Sequence, residues 1–136
     1  MPAFGASSLA QLETCHSRLQ FLFLEVVKSY DCKVVEGFRG EAAQNYAFDH
    51  GFSQKRWPDG NHNKQPSTAA DVYPYPIDPK MDSLPYVKRM MHFAGFVQGI
   101  ARKMEIPIRW GGDWDGDLNF AEERFADLPH FELLGV

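Results

Sequence analysis

The sequence predicts a small α+β domain in which a central, mostly antiparallel sheet carries helices packed on one side. Three observations lead there. Two long stretches repeat apolar residues every three or four positions, the period of an amphipathic helix. Several short stretches rich in β-branched or aromatic residues lie between glycines and prolines, which is how strands read. At 136 residues, with 44% hydrophobic and 24% charged residues, the chain has the length and composition of one globular domain spanning 1–136.

Taken in order, Leu9, Leu12, Cys15 or His16, Leu19, Leu22 or Phe23, Val26 and Tyr30 keep helical spacing, so one helix is expected over about 9–29, capped by Ser7 or Ser8. His16 is expected at its surface. CKVVEGF, 32–38, is a short β-branched strand, followed by Arg39 at a strand-to-helix junction and a short helix, EAAQNYAFDHG, ended by Gly51. Residues 52–67 show no period and carry proline, glycine and asparagine, so they form a long loop, a length that is uncommon unless it serves a site. A strand over 69–73 stops at Pro74 and Pro76, which cannot donate to a ladder. Asp82 or Ser83 caps the longest helix, with Val87, Met90, Ala94, Val97, Ala101 and Met104 on one face and His92 off it, ending near Glu105. A strand over 106–110, an acidic loop and a last strand, LPHFELL, complete the chain; alternation puts His130 and Glu132 on one side of that strand, Phe131 and Leu133 on the other.

A net charge of -4 argues against a nucleic-acid partner, which would call for a basic face. The opening MPAFGASSLAQLE has no basic segment leading into an apolar core, and no apolar run approaches membrane-spanning length, so neither a secretory signal nor a membrane partner is expected. Cys15 and Cys32 fall on separate elements without C-x-x-C spacing and are read as buried thiols.

Chemistry concentrates in HNKQPSTAADVYPYP, 62–76, and FADLPHFEL, 125–133. His62, Asp71 and His130 make up two imidazoles and a carboxylate, a three-ligand set that leaves zinc one open position. Asp127, three residues before His130, is placed to take a proton from an attacking water. Spacing alone leaves the other reading open, in which Asp71 is a charge at a strand edge and Asp127 a turn former. Arg39 is either a solvated side chain or a guanidinium aimed into a cleft. Trp57, Tyr73, Tyr75 and Trp114 are candidates to line a peptide groove, with Lys55, Arg56 and Lys64 as cations for substrate carboxylates. Asp113, Asp115 and Asp117 resemble the opening of a calcium loop, but the sixth and twelfth places hold Leu118 and Arg124 where glycine and glutamate belong, so they read as a solvated acidic turn.

The two motifs resemble the metal-site motifs of the M15 family of zinc peptidases, particularly the phage endolysins that act as L-alanyl-D-glutamate endopeptidases on peptidoglycan. EGFRGEAAQNYAFDHGFS, 36–53, resembles the stretch that precedes the first motif in that group, so the likeness runs from about residue 35 to the C-terminus. It implies a hedgehog/D-Ala-D-Ala-peptidase-like fold with the zinc site at an edge of the sheet. It implies Zn2+ on His62, Asp71 and His130, Asp127 as general base, Arg39 steadying the substrate carbonyl, and the peptidoglycan stem peptide as partner of a monomeric enzyme. Eight residues separate His62 from Asp71 where many members have six; the commoner spacing would put Lys64 at the metal, which an ammonium cannot ligate. The alternatives are a D-alanyl-D-alanine carboxypeptidase or dipeptidase and a non-catalytic zinc module that binds cell wall. A phage lysin would wait in the host cytoplasm until a membrane pore frees it to the wall.

Overall fold

The computed structural model describes residues 2–119 and 126–136. In order these form α1 (Ala6–Leu12), α2 (Ser17–Val27), β1 (Cys32–Glu36), α3 (Glu41–Asp49), a 3-10 turn (Asn61–Asn63), β2 (Ala69–Pro74), α4 (Leu84–Lys103), β3 (Ile108–Trp110) and β4 (His130–Leu133). The strands make one sheet in the order β1-β2-β4-β3, and each neighbouring pair is antiparallel. The α+β reading therefore holds.

Period-2 alternation divides the sheet into two unlike faces. Val34, Ala70, Val72, Trp110, Phe131 and Leu133 point to one side, where they meet Leu19, Leu22, Phe23 and Val26 of α2 and Phe93, Ala94 and Val97 of α4 in a single buried core. Residues between them in the strands, Asp71, Arg109, His130 and Glu132, therefore share the opposite face. Cys15 and Cys32 are buried free thiols within that core, as read from their spacing. Phe131 is fully buried at its centre, with ring contacts to Phe23 at 5.6 Å and Phe93 at 6.0 Å. Its replacement by alanine is expected to cost about 3–5 kcal/mol through lost transfer energy and an unfilled cavity. Urea melts of the two proteins check this, and a difference below 1 kcal/mol would contradict the packing described.

Three expectations need correction. The helix over 9–29 is two helices. Its apolar rhythm runs on in phase, but the chain leaves the helix after Leu12 so that Cys15 can bridge to Ser67, with Ser67 N–H donating to Thr14 O and His16 N–H to Ser67 O at 2.9 and 2.8 Å. His16 then starts α2, its Nδ1 accepting from Arg18 N–H, while Ser7 and Ser8 lie inside α1 rather than capping it. The strand over 32–38 stops at Glu36, in an irregularity that brings Glu36 opposite Asp71. The site face belongs to the two inner strands, β2 and β4, not to an edge of the sheet. Elsewhere Ser83 caps α4 by accepting from Tyr86 N–H, Gly51 takes the left-handed conformation after α3, and His92 is exposed against Tyr30 Oη at 2.8 Å.

Candidate metal centre

The register of β2 and β4 sets Asp71 directly across from His130 on the face away from the helices. His62 joins them from the 3-10 turn. That turn is tied down because Arg39 N–H donates to His62 O, Asn63 Nδ2 donates to Arg39 O and Gln44 Oε1, and Gly60 N–H donates to Asn63 Oδ1. His62 Nε2 lies 3.2 Å from both Asp71 Oδ1 and His130 Nδ1, and His130 Nδ1 lies 3.4 Å from Asp71 Oδ1. Donors about 2.0–2.1 Å from one tetrahedral ion sit about 3.3 Å from each other, so this triangle fits an ion of zinc's size. These three residues can hold a metal ion. Lys64, the alternative at this motif, is exposed and takes no part.

The remaining ring nitrogens are engaged as metal-bound imidazoles require. His62 Nδ1 is 2.7 Å from Gly37 O, and His130 Nε2 is 2.7 Å from Glu132 Oε1. Glu132 also accepts from Asn61 Nδ2 and Arg109 Nη2. Arg39 is neither solvated nor free: Nε and Nη2 clasp Glu36 at 2.9 and 3.0 Å, Nη1 reaches Gln44, and Nη2 lies 3.4 Å from Asp71 Oδ2. Two carboxylates facing each other across β1 and β2 would repel, and the guanidinium between them offsets that repulsion.

Asp127 stands next to the triad, its Oδ2 3.8 Å from His130 Nδ1. Its backbone is bracketed, since Asp127 N–H donates to Gly111 O, His130 N–H to Asp127 O, and Val72 N–H to Pro129 O. Any side chain at Gly111 would strike Asp127 O, so glycine is what allows the approach. A cleft of about 210 Å3 opens over this group, lined among others by Lys55, Trp114, Arg109 and Arg39. A roomier hollow of about 690 Å3, beside the end of α4 and β3, holds none of the site groups. Of the other groove candidates, Tyr73 borders a second hollow with Asp127, Tyr75 is exposed, Trp57 packs on Phe38, and Arg56 pairs with Asp49.

The charges follow from this crowding. Burial and the charge of Asp71 push the Asp127 carboxyl up to about 6, although His130, His62 and Arg39 pull against them. Burial favours the ionised Asp71 least, yet the two imidazoles outweigh it and hold that carboxyl well below the usual range. Burial would lower His130, but hydrogen bonds to Asp71 and Glu132 raise it to about 9. A metal must therefore displace a proton from His130. Below pH 9 the apparent affinity is expected to fall about tenfold per pH unit from this group alone, levelling off above it. Calorimetric titration across pH 6–8 in buffers of different ionisation heat checks it; affinity unchanged over that range would refute the account.

Asp113, Asp115 and Asp117 also bring one carboxylate oxygen each within 4.8 Å of one another. Asp113 is only 2% exposed, so the solvated-turn reading fails for it; its Oδ2 accepts from Leu118 N–H, and Leu118 itself has φ 64°. Arg124 and Phe125 lie outside the described residues. Among the residues that sequence reasoning gave no site role, Glu132, Gln44, Asn61 and Gly111 support the centre. Only Glu132 carried a signal, its i+2 placement on the same strand face as His130.

No curated protein matches the chain. Among solved structures, the Serratia marcescens L-Ala D-Glu endopeptidase ChiX is similar at a TM-score of 0.69 and 25% identity, over 97% of this chain and 90% of that one. The family model described as phage L-alanyl-D-glutamate peptidase matches residues 2–134. With its sheet, cleft and paired motifs accounted for over nearly the whole length, the chain belongs to the phage L-alanyl-D-glutamate peptidases.

Proposed function

We propose that the cleft hydrolyses the L-alanyl-D-glutamate bond of peptidoglycan stem peptides with zinc on His62, Asp71 and His130. The observation that carries this is the convergence of three donor atoms 3.2–3.4 Å apart beside a carboxylate that is not one of them, in a member of this family. Two imidazoles and one carboxylate suit zinc, which when bound supplies Lewis acidity and lowers the pKa of water toward neutrality.

Asp127 accepts the proton of the attacking water and returns it to the leaving amine, a role suited to a carboxyl raised toward neutral pH. Arg39, on the cleft wall, holds Asp71 in place and adds positive charge where the carbonyl oxygen becomes anionic. We propose that the enzyme acts as a monomer. We also propose that the enzyme accumulates in the host cytoplasm and meets the wall after release, which membership of a phage family supports.

The test is elemental analysis of the purified protein together with mass spectrometry of digested peptidoglycan. One zinc per chain and new D-glutamyl amino termini are expected. New termini at another bond, or no digestion by the zinc-loaded protein, would overturn the proposal.

A further inference from the structure

The chemistry above leaves two basic side chains of the cleft wall, Lys55 and Arg109, without a part in the reaction. We propose that Arg109 binds the free carboxylate of the D-glutamyl residue on the amine side of the scissile bond, and so selects the ionised residue over its amide. This rests on the L-alanyl-D-glutamate reading. Glutamate has two carboxyl groups and at most one can continue the chain. The other lies a few bonds from the scissile nitrogen, so it has to enter the cleft that holds the triad.

Three basic residues line that cleft: Arg39, Lys55 and Arg109. Arg39 has its donors directed to Glu36, Gln44 and Asp71, and its side chain is 12% exposed. Lys55 projects from an exposed loop as a hydrated point charge without preferred geometry. Arg109 differs from both. It stands on β3 opposite Glu132, on the site face, and 40% of its side chain is open. Among the described residues it makes one side-chain hydrogen bond, Nη2 to Glu132 Oε2 at 2.8 Å, while Nε is buried with no partner. Its guanidinium carbon sits 5.8 Å from the Trp114 ring, which limits how the plane can turn.

Glu132 does not neutralise this charge on its own account, because the same carboxylate also serves His130 Nε2 and Asn61 Nδ2. A planar donor fork held at one corner, on a strand, beside the reacting centre, is suited to a two-point grip on a carboxylate. The competing account is that Arg109 only props Glu132 behind His130.

The two accounts separate on a pair of synthetic stem peptides that differ solely in whether that glutamyl carboxyl is acid or amide. Zinc-loaded wild type is expected to favour the acid in kcat/KM by on the order of tenfold to a hundredfold. Arg109→Met should bring the ratio close to one, and Arg109→Lys, which keeps the charge beside Glu132, should leave an intermediate ratio. A loss shared equally by both peptides would overturn the inference, as would a wild-type ratio near one or a collapse produced by Lys55→Met instead. If wild type cleaves neither peptide between alanine and glutamate, the peptidase reading itself falls, an outcome distinct from an unchanged ratio.

Discussion

Asp127→Ala is expected to slow peptide cleavage by a factor on the order of 10²–10⁴ while the protein keeps its full complement of metal. The first half follows from position. Asp127 stands on the side of the triad where its donor atoms converge without being one of them, with Oδ2 3.8 Å from His130 Nδ1, the nitrogen that faces His62 and Asp71. Its raised affinity for a proton, caused first by burial and then by Asp71, lets it take and release one near neutral pH. The second half follows from the triangle of His62, Asp71 and His130, which is complete without it. The fold should also tolerate the change, since the bonds that bracket residue 127 are all made by its backbone. Metal content by elemental analysis and turnover on purified muropeptides check both halves. Cleavage at wild-type rate removes the base assignment, and loss of metal would show that Asp127 is a ligand.

The other large effect is expected from His130→Ala, which should abolish both tight metal binding and cleavage and should also weaken the metal-free fold. His130 holds a proton up to about pH 9 because it lies between Asp71 and Glu132, 3.4 and 2.7 Å away. Removing it leaves two buried carboxylates without the cation they share, a kind of lesion that costs about 3–5 kcal/mol. That is a large part of the 5–15 kcal/mol typical of a whole domain. Denaturant melts with excess chelator isolate the stability effect, and zinc titration isolates the binding effect. A variant that melts like wild type and still takes up zinc at micromolar concentrations would contradict the arrangement.

What could be read from the chain differed between elements for physical reasons. α4 and the strands carrying Asp71 and His130 showed themselves because each obeys one period and has a local stop: Ser83 at the start of α4, Pro74 at the end of β2. The break between α1 and α2 did not, because no glycine or proline marks it and Leu12, Cys15 and Leu19 stay in phase across it. Its cause is a partner 52 positions away, Ser67 paired with Cys15. Residue types made His62, Asp71 and His130 candidates and the resemblance of the two motifs singled them out, but their geometry was not legible, since the pairing of Asp71 with His130 depends on β4 inserting between β2 and β3. Arg39 is the instructive case. A solvated or cleft-facing guanidinium was expected; Arg39 does line the cleft, but the irregular end of β1 also brings Glu36 against Asp71 and places the guanidinium between them, a role the sequence did not show.

The bridge between Cys15 and Ser67 makes α1 and the turn after it, up to His16, a buttress for the segment that presents His62. Thr14 reaches Phe38 N–H through its hydroxyl and Ser67 N–H through its carbonyl, and Gly37, packed without room for a side chain against Thr14, Gln11 and Cys15, supplies the oxygen that orients His62. A shortened lysin that began at α2 would retain every residue assigned to the reaction and lose the brace that aims one of them. Trimming for delivery or fusion is therefore better done at the other terminus, beyond Leu134, whose N–H donates to Pro107 O.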